Sequence, residues 1–233
     1  MKNLYIDIET IPSQLDWIKD DIASKIKAPA QYKKQESIEK WLIENGGAEA
    51  EKQWLKTSFD GSLGEIVCVS YAIDDDMPKT FYRGLGDSEF DVLKDLFGSL
   101  ADDLYVDREE YEILQKAQWV GHNVLDFDIR FLWQRCVINN VDTKGIPIPL
   151  DARHGSDYVF DTLKAWKGWG AKTGGSMNQL CKLFGIEDKG DMDGSKVWPA
   201  MQNGEHEKVA RYCEEDVIRT REIYKKMTNV RTR

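Results

Sequence analysis

The hydrophobic pattern begins with a short period-two stretch. Residues 2–9 read as a strand in which Asp7 and Glu9 share one side, embedded among Leu4, Ile6, Ile8 and Ile11. Residues 13–58 are polar, rich in Lys, Glu, Gln and Ala, and helical in pattern, which reads as a helical insertion after the first strand. "EIVCVSYAI" at 65–73 is the strongest strand, and "DDDMP" turns it into a second one, "KTFYRG". Phe90, Leu93, Phe97 and Leu100 recur at helical spacing over 88–100. "AQWVGHN" at 117–123 is a short strand, and "LDFDIRFLWQRC" at 125–136 a helix. Residues 140–155 read as a loop, and "YVFDTLKAW" as a strand or the start of a helix. A Gly-rich loop at 167–175, a short helix at 176–184 and another loop precede a long final helix over about 206–227. This order predicts one α/β domain over residues 1–233, a central mixed β-sheet flanked by helices, with 13–58 inserted.

Composition narrows the classes without choosing among them. With 41% hydrophobic and 31% charged residues in 233, the chain has the balance of a globular protein with a sizeable core. No run approaches the length of a membrane span and no signal peptide is visible, so a cytoplasmic protein without membrane contact is expected. The net charge of −9 argues against coating duplex nucleic acid by bulk electrostatics, but not against a nuclease whose own acids add to the count. Cys68, Cys136, Cys181 and Cys213 form no CxxC pair, so reduced thiols are expected. With the histidines equally scattered, a bound metal would be held by carboxylates, which favours magnesium or manganese.

Asp7 and Glu9 project the same way, roughly 7 Å apart along the strand at about 3.3 Å per residue. Convergence on metal is one reading and the polar face of an edge strand is the other. In the last helix, positions 209, 213, 216, 220, 223 and 227 hold Val, Cys, Asp, Thr, Ile and Met, an apolar stripe with Asp216 in its middle. An ionised Asp on a buried face is costly unless it is paired or binds metal. Tyr212 lies one turn before it. Asp128 has Leu125, Phe131 and Leu132 three and four positions away and faces inward, whereas Asp126 is placed to pair with Arg130 on the solvent side. If the four acids converge, their repulsion requires cations, and two divalent metals would supply them.

"DIET" from Asp7, "NVLDFD" ending at Asp128 and "YCEED" from Tyr212 to Asp216 together resemble the three exonuclease motifs of the DEDD superfamily. The Tyr four residues before the last Asp is similar to the DEDDy branch; the DEDDh branch would have His where this chain has Arg211. The similarity is to exonuclease domains of family B DNA polymerases, and covers residues 1–11 and about 65–228. It implies a ribonuclease H-like fold and a metal-dependent 3′-5′ exonuclease acting on 3′ ends of single-stranded DNA by a two-metal-ion mechanism. It further implies Asp7, Glu9, Asp128 and Asp216 as ligands of two Mg²⁺ or Mn²⁺ ions, Tyr212 as a catalytic residue, and Thr10 and Asn123 as substrate-binding residues. Such a domain would either work alone in repair or end trimming, or serve a separate polymerase as proofreader.

An unperturbed Tyr has a pKa near 10, so orienting a metal-acidified water suits Tyr212 better than acting as an anionic base. Asn123 either touches the terminal nucleotide or serves as a turn or cap residue. "LKAWKGWGAK" at 163–172 could meet a single strand through Lys164, Lys167, Lys172, Trp166 and Trp169, but buried Trp and solvated Lys explain it more simply. Lys33 and Lys34 read as a solvated face. "GLGDSE" and "GAKTGGSM" lack residues that dinucleotide and P-loop motifs need. An exoribonuclease, a catalytically silent nucleic-acid-binding module of the same fold and a hydrolase of small phosphoesters are the alternatives.

Overall fold

The structure is a computed structural model and describes residues 1–108, 111–168, 174–187 and 190–230. The strands are β1 (Lys2–Ile11), β2 (Glu65–Ile73), β3 (Lys79–Tyr82), β4 (Tyr105–Arg108), β5 (Tyr111–Leu114), β6 (Ala117–Gly121) and β7 (Val159–Asp161). Five of them form a mixed sheet in the order β3-β2-β1-β6-β7. β1 pairs antiparallel with β2 and parallel with β6, and β7 runs parallel to β6. β4 and β5 form a separate two-stranded ribbon that the apolar pattern does not announce. The helices are α1 (Asp16–Lys25), α2 (Gln35–Leu55), α3 (Glu89–Leu104), α4 (Asp128–Ile138), α5 (Thr162–Lys167), α6 (Met177–Phe184), α7 (Val197–Gln202) and α8 (His206–Thr228). The arrangement is α/β and ribonuclease H-like.

β1 is a central strand, so the edge-strand reading of its carboxylates fails. Leu4, Ile6 and Ile8 bury one face in the main core, with Leu93 and Phe97 of α3 and Phe131 and Leu132 of α4. On the other face Tyr5 packs with Val120 and Val217, and Ile11 with Val209, Tyr212 and Cys213 of α8. The alternation of β1 therefore aims Asp7 and Glu9 at α8. α3 begins with a capping box between Ser88 and Asp91. Its buried stripe runs through Val92, Leu93, Leu96, Phe97, Leu100 and Leu104, while Phe90 is 40% exposed and lies outside it.

The segment after β1 is a helical hairpin, α1 against α2, as the sequence suggests. The Trp54 indole N–H donates to the Ser13 carbonyl at 2.9 Å, and its ring meets Trp198 of α7 edge-on at 5.6 Å. The hairpin is thus fastened at its base beside β1. Lys33 and Lys34 are exposed at its far end.

α4 starts three residues later than the apolar pattern suggests. Residues before it form turns, so Asp126 lies outside the helix and the expected Asp126–Arg130 pair has no helical spacing to support it. Asp126 bonds instead to Lys164 of α5 at 2.8 Å. Gly121, the last residue of β6, leaves no room for a side chain, because a Cβ there would lie 2.5 Å from the Val124 side chain.

Candidate active site

β1 and α8 bring three of the sequence-designated acids together. Asp7, Glu9 and Asp216 each offer a carboxylate oxygen, all within 4.8 Å of one another. Asp7 is half-buried, and Glu9 and Asp216 are buried. A register shift between Glu9 and Thr10 bends the β1–β2 pairing at this point, a common device beside functional sites. The Cys213 thiol, whose pKa burial pushes well up, donates to the Asp7 carbonyl at 3.3 Å and ties α8 to β1. All four cysteines are buried as reduced thiols.

Asp128 stands at the start of α4, and its Oδ1 accepts from the Ile8 N–H of β1 at 3.2 Å. It lines the same cavity of about 570 Å³ as the other three acids, with Tyr212, His122 and Phe127 in the wall. Burial, and then the charges of Asp161 and Asp216, push its carboxyl up to about 7. The native state therefore holds this proton more tightly than the unfolded chain. Its stabilising contribution is full below about pH 4 and is lost as pH rises through 7. In metal-free protein, Asp128→Asn should melt progressively higher than wild type as pH goes from 5 to 8. A difference in melting temperature that stays flat across that range would contradict this.

The Tyr212 hydroxyl hydrogen-bonds to the Asp216 carboxylate, and its pKa is raised by burial and by the charges of Glu9, Asp216 and Asp7. It is a phenol at neutral pH. Arg219, one turn after Asp216, donates to Asp216 Oδ1 at 3.0 Å, to Glu215 at 2.9 Å and to the Glu187 carbonyl at 3.3 Å. It is 6% exposed and sets a fixed positive charge against the acid cluster. Its spacing of three residues from Asp216 is a signal for this pairing that the sequence carries.

Asp161, fully buried, is not among the sequence-designated acids. Its carboxylate accepts from the N–H groups of Asn123, Leu125, Leu163 and Lys164 at 3.0–3.1 Å, so one side chain caps α5 and holds the turn that leads to Asp128. An Asp directly before a helical run was the available signal. Asn123 adopts a left-handed conformation, φ 69°, and its carbonyl accepts from Asp126 and Phe127. This is a turn residue's geometry, with His122 and Phe127 of the cavity wall on either side. The Thr10 hydroxyl donates to the Ser58 carbonyl at 2.7 Å. Trp166 is 46% exposed and packs edge-on against Phe184; Trp169 and Lys172 lie outside the described residues.

The donor set is all carboxylate oxygen, which suits a hard divalent ion. Acids from a central strand and a crossing helix thus line one open cavity. The family model described as "Predicted 3'-5' exonuclease related to the exonuclease domain of PolB" matches residues 66–233, and the chain belongs to that family. The match begins after β1, so Asp7 and Glu9 join the site through the fold. A similar solved structure is the family B DNA polymerase from the hyperthermophilic archaeon Pyrobaculum calidifontis. It is 14% identical, with a TM-score of 0.52, over 98% of this chain and 24% of that one. That likeness shows the fold, and this chain spans only 24% of the polymerase's length. No curated protein matches. Among the described residues no helix is long and apolar enough to cross a membrane.

Proposed function

We propose that residues 1–233 act as one 3′-5′ exonuclease domain that removes nucleotides from the 3′ ends of single-stranded DNA with the help of two divalent ions, Mg²⁺ or Mn²⁺. The convergence of Asp7, Glu9 and Asp216 within 4.8 Å, in a chain of this family, carries the reading. Those three carboxylates and Asp128 would hold the ions. Ions held there would supply the Lewis acidity that acidifies a water and offsets charge developing on the phosphate.

The chain's own groups do the rest. Arg219 fixes the orientation of Asp216 through Oδ1. Tyr212, a neutral phenol held against Asp216, is placed to orient the attacking water rather than to take its proton. Asp161 holds the backbone of the turn before α4, and so the place of Asp128 and Phe127 in the cavity wall.

Tyr212→Phe should lower kcat by roughly 10-fold or more, but by less than the roughly 10²- to 10⁴-fold that loss of a general acid or base costs, because the phenol orients the water and does not take its proton. Mn²⁺ binding by calorimetry should stay near wild type, and an unchanged kcat would remove Tyr212 from the mechanism. The function itself is tested with a linear and a covalently closed circular single strand of the same DNA sequence, each with Mg²⁺ or EDTA. The linear strand should be degraded only with Mg²⁺, and the circle should survive. Loss of the circle would indicate an endonuclease, and survival of both would refute nuclease action on DNA. RNA in parallel reads the sugar preference.

A further inference from the structure

Phe59 is the last residue of a 3₁₀ turn (Lys56–Phe59) that links the helical hairpin back to β2, and it is 74% exposed. A single exposed apolar side chain says little by itself, but this one is held firmly beside the cavity. The Thr10 hydroxyl of β1 donates to the Ser58 carbonyl at 2.7 Å. Thr57 Oγ1 donates to the Trp54 carbonyl at 2.7 Å and accepts the Ser13 N–H at 2.8 Å. Just after the turn, Gly61 leaves no room for a side chain, because a Cβ would lie 2.9 Å from the Phe131 backbone. The Phe59 ring sits 6.5 Å from that of Phe127, tilted by 58°, and Phe127 is part of the cavity wall next to Asp128. An aromatic ring is thus presented to solvent on a pinned turn, one ring outside the carboxylate site.

We propose that Phe59 is a stacking platform for the first base of the single strand that lies outside the cavity. This rests on the exonuclease reading above and adds a binding residue supplied by the segment upstream of the matched family region. A chain of net charge −9 has little bulk electrostatic attraction for a polyanion, which leaves base stacking a larger share of substrate capture. Stacking on an aromatic ring tolerates any base, as an exonuclease that advances along a strand requires. The Thr10 contact gives the "DIET" motif a second consequence: it holds the turn that carries Phe59.

The test compares wild type with Phe59→Ala, Phe59→Leu and Phe59→Tyr on two substrates, an oligothymidylate and the nitrophenyl ester of thymidine 5′-monophosphate, which has no second base. With Phe59→Ala, kcat/KM on the oligonucleotide should fall at least 5-fold more than on the ester, within the roughly 5- to 100-fold range that loss of one stacked base gives. Phe59→Tyr should restore the oligonucleotide rate and Phe59→Leu should not. Equal losses on both substrates, or restoration by Leu, would overturn the stacking assignment while leaving the exonuclease standing. A wild-type protein that cleaves neither substrate would overturn the exonuclease reading and this inference with it.

Discussion

Asp7→Asn should reduce 3′-end trimming by roughly 10³-fold or more while the protein remains folded. Altering a group that only supports a metal ligand costs about 10- to 100-fold, and a direct ligand should cost more. The substitution is nearly isosteric, so the pairing of Asp7 with Ser70 across β1 and β2 should persist. The Cys213 thiol bonds to the Asp7 backbone carbonyl, which the change does not touch. What is lost is one negative charge from a cluster whose other members, Glu9 and Asp216, lie within 4.8 Å. Without metal, that loss relieves repulsion, so the melting temperature of the metal-free variant should equal or exceed that of wild type. Single-turnover rates at saturating Mg²⁺ and melting curves in EDTA measure both parts. A rate within about 10-fold of wild type would show that Asp7 is not a ligand.

The largest effect on stability should come from Arg135→Ala. Arg135 of α4 and Glu89 of α3 form a buried pair, 7% and 5% exposed. Two nitrogens of the guanidinium reach the carboxylate, Nε at 2.8 Å and Nη2 at 2.6 Å. Glu89 also accepts from the Ile66 N–H and from Asn139, each at 2.7 Å, so one carboxylate joins α3, α4 and β2. Removing the guanidinium leaves that carboxylate buried without its counter-charge, at a cost of about 3–5 kcal/mol. The double change Arg135→Met with Glu89→Leu should recover part of the loss: apolar groups of similar volume need no counter-charge, but the buried Ile66 N–H is left without its acceptor. Urea unfolding at pH 7 measures both. A loss below about 1 kcal/mol for Arg135→Ala would place the pair among the weak surface bridges.

Much of the site was legible in the sequence because its acids stand within strong apolar patterns. Asp216 interrupts the apolar stripe of α8, and such an interruption marks a group that needs a partner or an ion. Asp7, by contrast, fits the alternation of β1, so its strand alone leaves the polar-face reading open. Val209, Cys213, Asp216, Thr220 and Ile223 are all buried on one face, as the spacing required. The helical insertion and the mixed sheet were legible for the same reason, since period and composition change where one element gives way to the next. Less visible were groups that act on backbone. Asp161 secures four N–H donors from two segments, and nothing in a local pattern tells where the more distant donors come from. The start of α4 was misplaced because Leu125 continues the apolar spacing although the chain there follows a turn organised by Asp161. Asp126 was accordingly assigned to Arg130, when its partner is a lysine on another element. The β4–β5 ribbon has four-residue strands, too short for alternation to stand out.

Polarity and metal dependence together distinguish a 3′-end trimming enzyme acting on DNA from every alternative named above. The direct measurement is a time course of a 5′-labelled single-stranded DNA with wild type and Mg²⁺, beside EDTA and Asp7→Asn controls. The predicted result is a ladder in which the label stays on progressively shorter strands, present with Mg²⁺ and absent from both controls. Immediate release of the label as a mononucleotide, or a ladder that persists in EDTA or with Asp7→Asn, would contradict a carboxylate-held metal centre working from the 3′ end.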